Sequence, residues 1–478
     1  MSQQTPLRPP PAARTIGDRL DRMPVTPTHR MLTAVVGVGL LFDTFENNLS
    51  GTISKVLQGD FAFNGTTLKL VLASAFIGQF FGSLVLGRVA DRFGRRRAFL
   101  INLALYSGFS LLGAFAPNAA WLIVTRFLAG VGIGAEQALS DCYLADVLPA
   151  GQRGRYTAWA YTLAFCGVPA VGFAALWLVP LSPLGIDGWR WLFVLGAAGS
   201  AVVWGLRRRL IESPRWLATQ GRHQEAEKLV AMMEAELPAH ILAETRAETR
   251  AETRAETRPA AATVKERPSD DAAPPLPRRT GPGVVFQARF RRRTAMLWLF
   301  STLSVVGYYG FGALAPQILA AKGYGVVTGL GFTAVSFIGY PIGSLVSVPI
   351  MDRMERKRLL ALSALAMALA GFGFAYAGSV AVVMFFGIAY TLVSNVFSTV
   401  SHVYLAEQYP TDIRAAATGL AYSLSKLSAG ALPFVLLPVL EQHGAGPMFA
   451  VIAGCMALLV VTVLVLGGRT TGVSVDHD

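Results

Sequence analysis

Ionisable side chains stand inside otherwise apolar stretches at a few positions. They are Asp43 and Glu46 in L-F-D-T-F-E, Arg126, Glu136 and Asp141 between 118 and 146, Lys426 in S-L-S-K-L-S, and the weaker His402. Inside a bilayer a charged side chain costs about 2.5–3.5 kcal/mol or more, so it marks a site of function. Asp43 and Glu46 are three residues apart and share one face of a helix. A buried arginine facing two carboxylates pairs with one of them at a time, and the other must take up or release a proton as partners change. That is the chemistry of a proton-coupling site, with Asp43, Glu46, Arg126 and Glu136 as its candidates. Glu136 needs water or a partner, and Lys426 can supply the partner or bind an anionic substrate.

These residues must be positioned by membrane-crossing helices. The chain has 478 residues, 53% of hydrophobic type and 15% charged, with a formal net charge of +13. The stretch 207–293 alone holds 18 basic and 12 acidic residues. The remainder is too apolar for a soluble enzyme, a disordered chain or a polyanion-binding protein. Stretches of about 20 apolar residues suffice to cross a bilayer. They occur at roughly 31–53, 67–87, 97–116, 118–146, 156–180, 189–206, 294–319, 327–350, 359–377, 379–406, 415–440 and 447–468. The expected fold is an all-α polytopic membrane protein with 12 transmembrane helices. A transmembrane β-barrel would need alternating strands of about ten residues, which are absent from the pattern. The first 30 residues lack the pattern of a cleavable signal peptide. Cys142, Cys166 and Cys455 lie in apolar segments without metal-ligand spacing, so neither a metal site nor a cofactor is expected.

Depth arithmetic sorts the buried charges. Asp43 and Glu46 lie ten and seven residues from the outer end near 53, or about 15 and 10 Å at about 1.5 Å per residue. Arg126 lies eight residues into a span that starts near 118, or about 12 Å deep. The three therefore share one depth.

With the N-terminus inside, 36 of the 42 Lys and Arg residues fall on inner segments. Four (Lys55, Lys69, Arg190 and Lys322) fall on the outer side. This asymmetry predicts cytoplasmic termini. The halves also superpose at a fixed offset of 261 residues. Gly82-Ser83-Leu84-Val85 matches Gly343-Ser344-Leu345-Val346, Asp91-Arg92 matches Asp352-Arg353, and Tyr143-Leu144-Ala145-Asp146 matches Tyr404-Leu405-Ala406-Glu407. Arg153 matches Arg414. Two parallel six-helix pseudo-repeats follow, with the substrate site between them near the midplane. The domains read as a cytoplasmic tail at 1–30, a six-helix bundle at 31–206, a partly disordered central loop at 207–293, a second bundle at 294–468 and a tail at 469–478. Within the loop, A-E-T-R occurs four times over 243–258, and i, i+4 spacing there pairs like charges. A tolerant linker is the better reading of 236–282. The stretch 209–235 can form a surface helix. The basic cluster at 289–293 can touch anionic lipid.

The segment G-S-L-V-L-G-R-V-A-D-R-F-G-R-R-R, from Gly82 to Arg97, resembles the loop between helices 2 and 3 of the major facilitator superfamily, and a degraded copy stands at 343–358. The resemblance implies a secondary transporter that works by alternating access. It implies gating roles for Asp91, Arg92, Arg95 and Asp146, and for Asp352, Arg353, Glu407 and Arg414 in the second half.

L-F-D-T-F-E at 41–46, and the run from Arg126 to Arg155 with G-x-G-x-G-A-E, are similar to helices 1 and 4 of the metabolite:proton symporters that carry nicotinate and aromatic acids. Lys426 lies where that group often has Arg. The resemblance implies symport of a small organic acid with protons. Arg126 or Lys426 would meet the carboxylate, with Tyr308, Tyr309, Asn47, Gln137 and Asn395 as further substrate contacts. Glu212-Ser213-Pro214-Arg215-Trp216-Leu217 is also similar to an element of the sugar porters, so a sugar or polyol symporter is an alternative. A proton-driven drug antiporter and a transporter-like nutrient sensor are further alternatives. The expected partners are a small-molecule substrate, protons and membrane lipid, with no nucleic acid. The expected state is a functional monomer in a bacterial inner membrane.

Overall fold

The computed structural model describes residues 15–238, 291–351, 354–407 and 411–467. The A-E-T-R repeat and most of the expected linker lie outside them. The chain folds into helices, and no strand occurs among the described residues. The first half holds α1 (Ile16–Arg22), α2 (Pro27–Thr52), α3 (Ser54–Asp60), α4 (Gly65–Phe93), α5 (Arg95–Ala114), α6 (Ala119–Ile133), α7 (Glu136–Val147), α8 (Arg153–Phe165), α9 (Gly167–Leu178) and α10 (Gly188–Arg207). The short helices α11 (Pro214–Thr219) and α12 (His223–Ala235) follow. The second half holds α13 (Arg291–Gly312), α14 (Ala315–Ala321), α15 (Val326–Phe337), α16 (Gly339–Met351), α17 (Arg356–Tyr376), α18 (Val380–Glu407), α19 (Thr411–His443) and α20 (Ala445–Leu466).

Eleven helical spans are long and apolar enough to cross a membrane, and α2 makes a twelfth when counted with α1, which joins it at 91°. Three spans are continuous in sequence pattern but broken in the backbone: α6 with α7, α8 with α9, and α15 with α16. The first break follows Gly130, Gly132 and Gly134, where helix propensity is low. Those glycines also let α6 lie against α4. A Cβ on Gly130 would meet the Ala75 backbone, and one on Gly78 would meet the Phe127 backbone. Backbones approach this closely where small residues line both helices. Large apolar side chains such as Phe81, Trp177, Leu369, Phe385 and Val465 stay exposed on the outside of the bundle. In water such a surface would drive association, and in a bilayer it faces lipid tails.

The halves meet along α4 with α19, α8 with α16, and α9 with α15. Ser83 and Ser423 join their hydroxyls at 2.8 Å, and Thr162 and Ser344 at 3.2 Å. At one end α3 abuts α14, where Gln317 Nε2 donates to Ser54 Oγ at 3.3 Å. One apolar core crosses the junction there, with Leu57, Leu68 and Leu72 in the same cluster as Ile318, Leu437 and Leu440.

The other end, here termed the loop face, carries α1, α11 and α12. The first 30 residues therefore contain a helix. Thr15 and Asp18 cap it reciprocally. Leu20 and Met23 pack on Val230, Met233 and Leu237. Arg19 pairs with Glu234 at 2.8 Å and also with Glu227. Thr28 N donates to Glu236 Oε2 at 2.9 Å. The expected surface helix over 209–235 is two helices, because the chain turns at Gly221 with φ +74°.

Candidate functional site

A cavity of about 150 Å³ lies between the halves. Asp43 and Asn47 reach it from α2, Gln79 from α4, Gln137 from α7, Tyr308 and Tyr309 from α13, and Lys426 from α19. Its wall extends toward the loop face through Ala138, His402, Leu405 and Gly419.

A chain of polar groups crosses the cavity wall. Gln79 Nε2 donates to Asn47 Oδ1 at 2.7 Å, and Asn47 Nδ2 donates to Tyr309 Oη at 3.3 Å. Lys426 Nζ donates to the same hydroxyl at 3.5 Å and stands 5.7 Å from the Tyr309 ring centroid. The ring face favours a cation there. Tyr308 packs edge-on against Tyr309 with centroids 4.9 Å apart. Lys426, Tyr309 and Asn47 thus join the two halves directly. Beside them His402 stacks on Tyr422, with centroids 5.2 Å apart and Tyr422 Oη 3.0 Å from His402 Nε2. Asp141 is exposed and accepts from Tyr161 Oη at 2.5 Å.

Behind the cavity the buried charges fall into pairs. Arg126 Nη1 donates to Glu46 Oε2 at 3.0 Å, and its Nη2 donates to the Glu46 carbonyl at 2.8 Å. Ser110 Oγ donates to Glu46 Oε1 at 2.7 Å. Both members of the pair are fully buried. Helix α10 comes close because residue 196 is glycine, and a Cβ there would collide with the Glu46 carboxylate. The shared depth read from the sequence therefore corresponds to a contact. Arg126 does not face both acids, however. Asp43 turns to the cavity, and its Oδ1 is buried with no hydrogen-bond partner among the described residues. Arg126 is walled off from the cavity lining, so the substrate contact expected of it is not made by this geometry.

Glu136 also departs from expectation. Its partner is Arg207, not Lys426. Both side chains are fully buried. The guanidinium lies 4.5 Å from the Phe99 ring centroid and against the bare Cα of Gly39, where a Cβ would stand 2.7 Å from Arg207 Cζ. Arg207 was missed because it opens the run Arg207-Arg208-Arg209 at the end of an apolar span. That run reads as a topology signal, yet α10 continues through its first residue. Asn395 is not at the cavity either. Its Nδ2 donates to the Tyr340 carbonyl at 2.5 Å and ties α18 to α16.

At the loop face, Arg95 Nε of the signature loop, which runs from Gly82 to Arg97, lies 3.8 Å from Asp146 Oδ2 near the end of α7. Ser213 Oγ donates to the same Asp146 oxygen at 2.9 Å. Glu212 Oε1 accepts from the Arg95 backbone N at 2.8 Å, at the start of α5 where an anion is favoured. Gly94 bends the chain into that cap with φ +98°. Asp21 pairs with Arg153 at 2.8 Å and with Arg215 at 2.7 Å. Glu212 and Asp21 carry no intramembrane signal and were not singled out as gate residues. Arg92 is exposed, with its guanidinium 5.4 Å from the Phe93 ring centroid. The side chains of Asp91, Glu407 and Arg414, and all of Asp352 and Arg353, lie outside the described residues.

Comparison with known proteins gives a consistent result. The profile of the family described as sugar (and other) transporter matches residues 33–477. The chain is 28% identical over 458 residues to the putative metabolite transport protein YyaJ of Bacillus subtilis, covering 95% of each. It is 26% identical over 459 residues to the niacin transporter NiaP of Acinetobacter baylyi, covering 96% of this chain and 98% of that one. The fold matches the xylose transporter XylE from E. coli in a partially occluded inward open conformation, with a TM-score of 0.71 and 21% identity over 93% of this chain and 99% of that chain.

Proposed function

The chain belongs to the sugar (and other) transporter family, a major facilitator transporter and not an enzyme, and from that premise we propose that it imports a small organic acid together with protons. A transporter of this family moves a small-molecule substrate across a membrane. The finer reading rests on one observation: the cavity wall holds a buried acid from the first half, Asp43, opposite a buried base from the second, Lys426. A lysine in a largely apolar, aromatic-lined cavity recognises a carboxylate by charge-assisted hydrogen bonding. Tyr308 and Tyr309 supply faces for a flat ring. An acid without a hydrogen-bond partner at the same cavity is placed to carry a proton. The similarity to a niacin transporter is in keeping with an aromatic carboxylate.

Gln137, Asn47 and Gln79 are the polar contacts we assign to the substrate. Glu46, Arg126 and Glu136 hold the bundle around the coupling acid. Arg95 and Asp146 form the gate that must open for alternating access. The basic loop face supports both termini in the cytoplasm, and the reading extends to a functional monomer in a bacterial inner membrane. Purified protein in liposomes tests the central claim. An inward proton gradient should drive accumulation of labelled nicotinate or benzoate. Accumulation of xylose instead, or outward drug flux, would refute the organic-acid reading.

A further inference from the structure

Helices α13, α17 and α20 present one outer face of the second half, with α20 packed against both of the others. On α17, Leu362, Leu365 and Leu369 are exposed, and their spacing of three and four residues puts them on one stripe. Arg358 stands one turn before Leu362 at the head of that stripe, with 79% of its side chain exposed. On α20, Leu458, Val461 and Val465 are exposed at the same spacing. On α13, Arg292, Ala295 and Leu299 form a third exposed stripe, again headed by a base.

The bases gather where α20 ends. Arg292 Nη2 donates to the Val465 carbonyl at 3.1 Å, and Lys357 Nζ donates to the Gly467 carbonyl. The end of α20 is thus held by one base from α13 and one from α17. A helix end carries only about half a negative charge, whereas the two helix starts, 291–293 and 355–358, hold six bases and one acid. That acid, Glu355, lies 3.7 Å from Arg358. The first half is built differently. At the offset of 261 residues the counterparts of 356–358 are Arg95, Arg96 and Arg97, and carboxylates meet them. Asp146 lies beside Arg95, and Glu212 accepts from the backbone N of both Arg95 and Arg96. In the second half the groups on Arg292 and Lys357 are carbonyls, so the two helix starts keep a strong excess of positive charge at the head of apolar stripes.

We infer that this corner binds one anionic glycerophospholipid of the leaflet at the loop face, with its phosphate among Arg292, Lys357 and Arg358 and its acyl chains along the stripes of α17 and α20. Arginine and lysine that each give one hydrogen to a carbonyl have donors to spare for phosphate oxygens. Basic pockets between membrane helices take anionic headgroups in this way. The lengths agree. Leu369 lies eleven residues beyond Arg358, or about 16 Å along the helix, and one leaflet of a hydrocarbon core about 30 Å thick spans about 15 Å. A soluble phosphate would use the bases and leave the stripes without a role. A zwitterionic headgroup would bring its own cation to a corner crowded with cations. The inference concerns the contact with the bilayer and does not depend on which substrate the cavity takes.

Native mass spectrometry of the full chain, released from nanodiscs of equal phosphatidylglycerol and phosphatidylcholine, tests it. Wild type should retain phosphatidylglycerol in preference. Arg292→Gln with Arg358→Gln should weaken that retention about 25-fold, at about fivefold for each base removed. Arg292→Lys with Arg358→Lys should keep it. Arg208→Gln with Arg209→Gln removes two exposed bases from the loop face of the first half and should leave it unchanged. Glycerol 3-phosphate should not compete. Equal retention of the two lipids by wild type overturns the inference, as does unchanged retention in the Arg292 and Arg358 double glutamine variant. An equal loss in the Arg208 and Arg209 variant overturns it in favour of general attraction to a basic face. Competition by glycerol 3-phosphate overturns it in favour of a soluble phosphate. Should the double glutamine variant fail to elute as a folded species, Arg358→Gln alone decides, with an expected loss of about fivefold.

Discussion

Arg207, the last residue of α10, closes on Glu136, the first residue of α7, with both side chains fully buried. Removing one member of such a pair leaves an uncompensated charge and costs about 3–5 kcal/mol. Arg207→Ala should therefore lower the melting temperature in detergent sharply, and Glu136→Gln should do so less. The double variant Glu136→Gln with Arg207→Met should recover much of the loss. A double variant as unstable as Arg207→Ala would show that packing on Phe99 and Gly39, not charge, is what Arg207 supplies.

Asp43→Asn should abolish accumulation driven by a proton gradient yet spare exchange of labelled for unlabelled substrate. Exchange needs the loaded carrier to reorient, and the amide imitates the protonated acid. Accumulation that survives this change would remove Asp43 from the coupling step.

Arg126→Lys should not substitute for arginine. The guanidinium serves the Glu46 carboxylate and the Glu46 carbonyl at once, and an ammonium lacks that planar fork. Uptake should fall about tenfold or more, because about 1.4 kcal/mol separates each decade. Wild-type uptake in this variant would mean that the pair acts as a point charge.

The contact between Arg95 and Asp146 is partly exposed, so it is worth about 0.2–1 kcal/mol. Asp146→Asn should shift the balance of conformations by up to about fivefold toward an open loop face. Labelling rates of a cysteine introduced at Ala138 on the cavity wall read that shift. An unchanged rate would leave Arg95 and Asp146 as topology signals alone.

Gly130→Val should disrupt the packing of α6 on α4, because the added atoms meet the Ala75 backbone, which has no room to give. Overpacking of this kind costs about 1–3 kcal/mol. Thermal melting should fall accordingly, whereas Gly454→Val, where a Cβ meets nothing within 4 Å, should be tolerated.

Much of this was legible in the sequence. Hydropathy is a property of whole segments, so the spans could be read from it, and the two-fold repeat could be read from motifs that recur at one offset of 261 residues. Depth along a helix depends on the rise per residue, so Glu46 and Arg126 could be matched across 80 positions. Azimuth was harder. Asp43 and Glu46 share a face in projection, yet one lines the cavity and the other points into the bundle, because α10 offers a glycine at 196 to Glu46. Arg207 was hidden by its neighbours Arg208 and Arg209, since a run of bases has one obvious explanation. The loop-face contacts of Glu212 and Asp21 depend on where short helices dock, and no periodicity encodes that. Asn395 was read as a ligand contact, but a buried amide serves equally well to tie two helices.

Between α6 and α7 the span is interrupted only at Gly134 and Ala135, so both helices belong to one membrane crossing. The shorter of the two, α7, begins at Glu136 and ends one residue past Asp146, a length of about 15 Å between those two acids. Its first acid is paired with Arg207 inside the bundle, and its last lies beside Arg95 of the signature loop. The one helix therefore carries a paired carboxylate at each end, and ties the buried charges of the bundle to the contacts of the loop face.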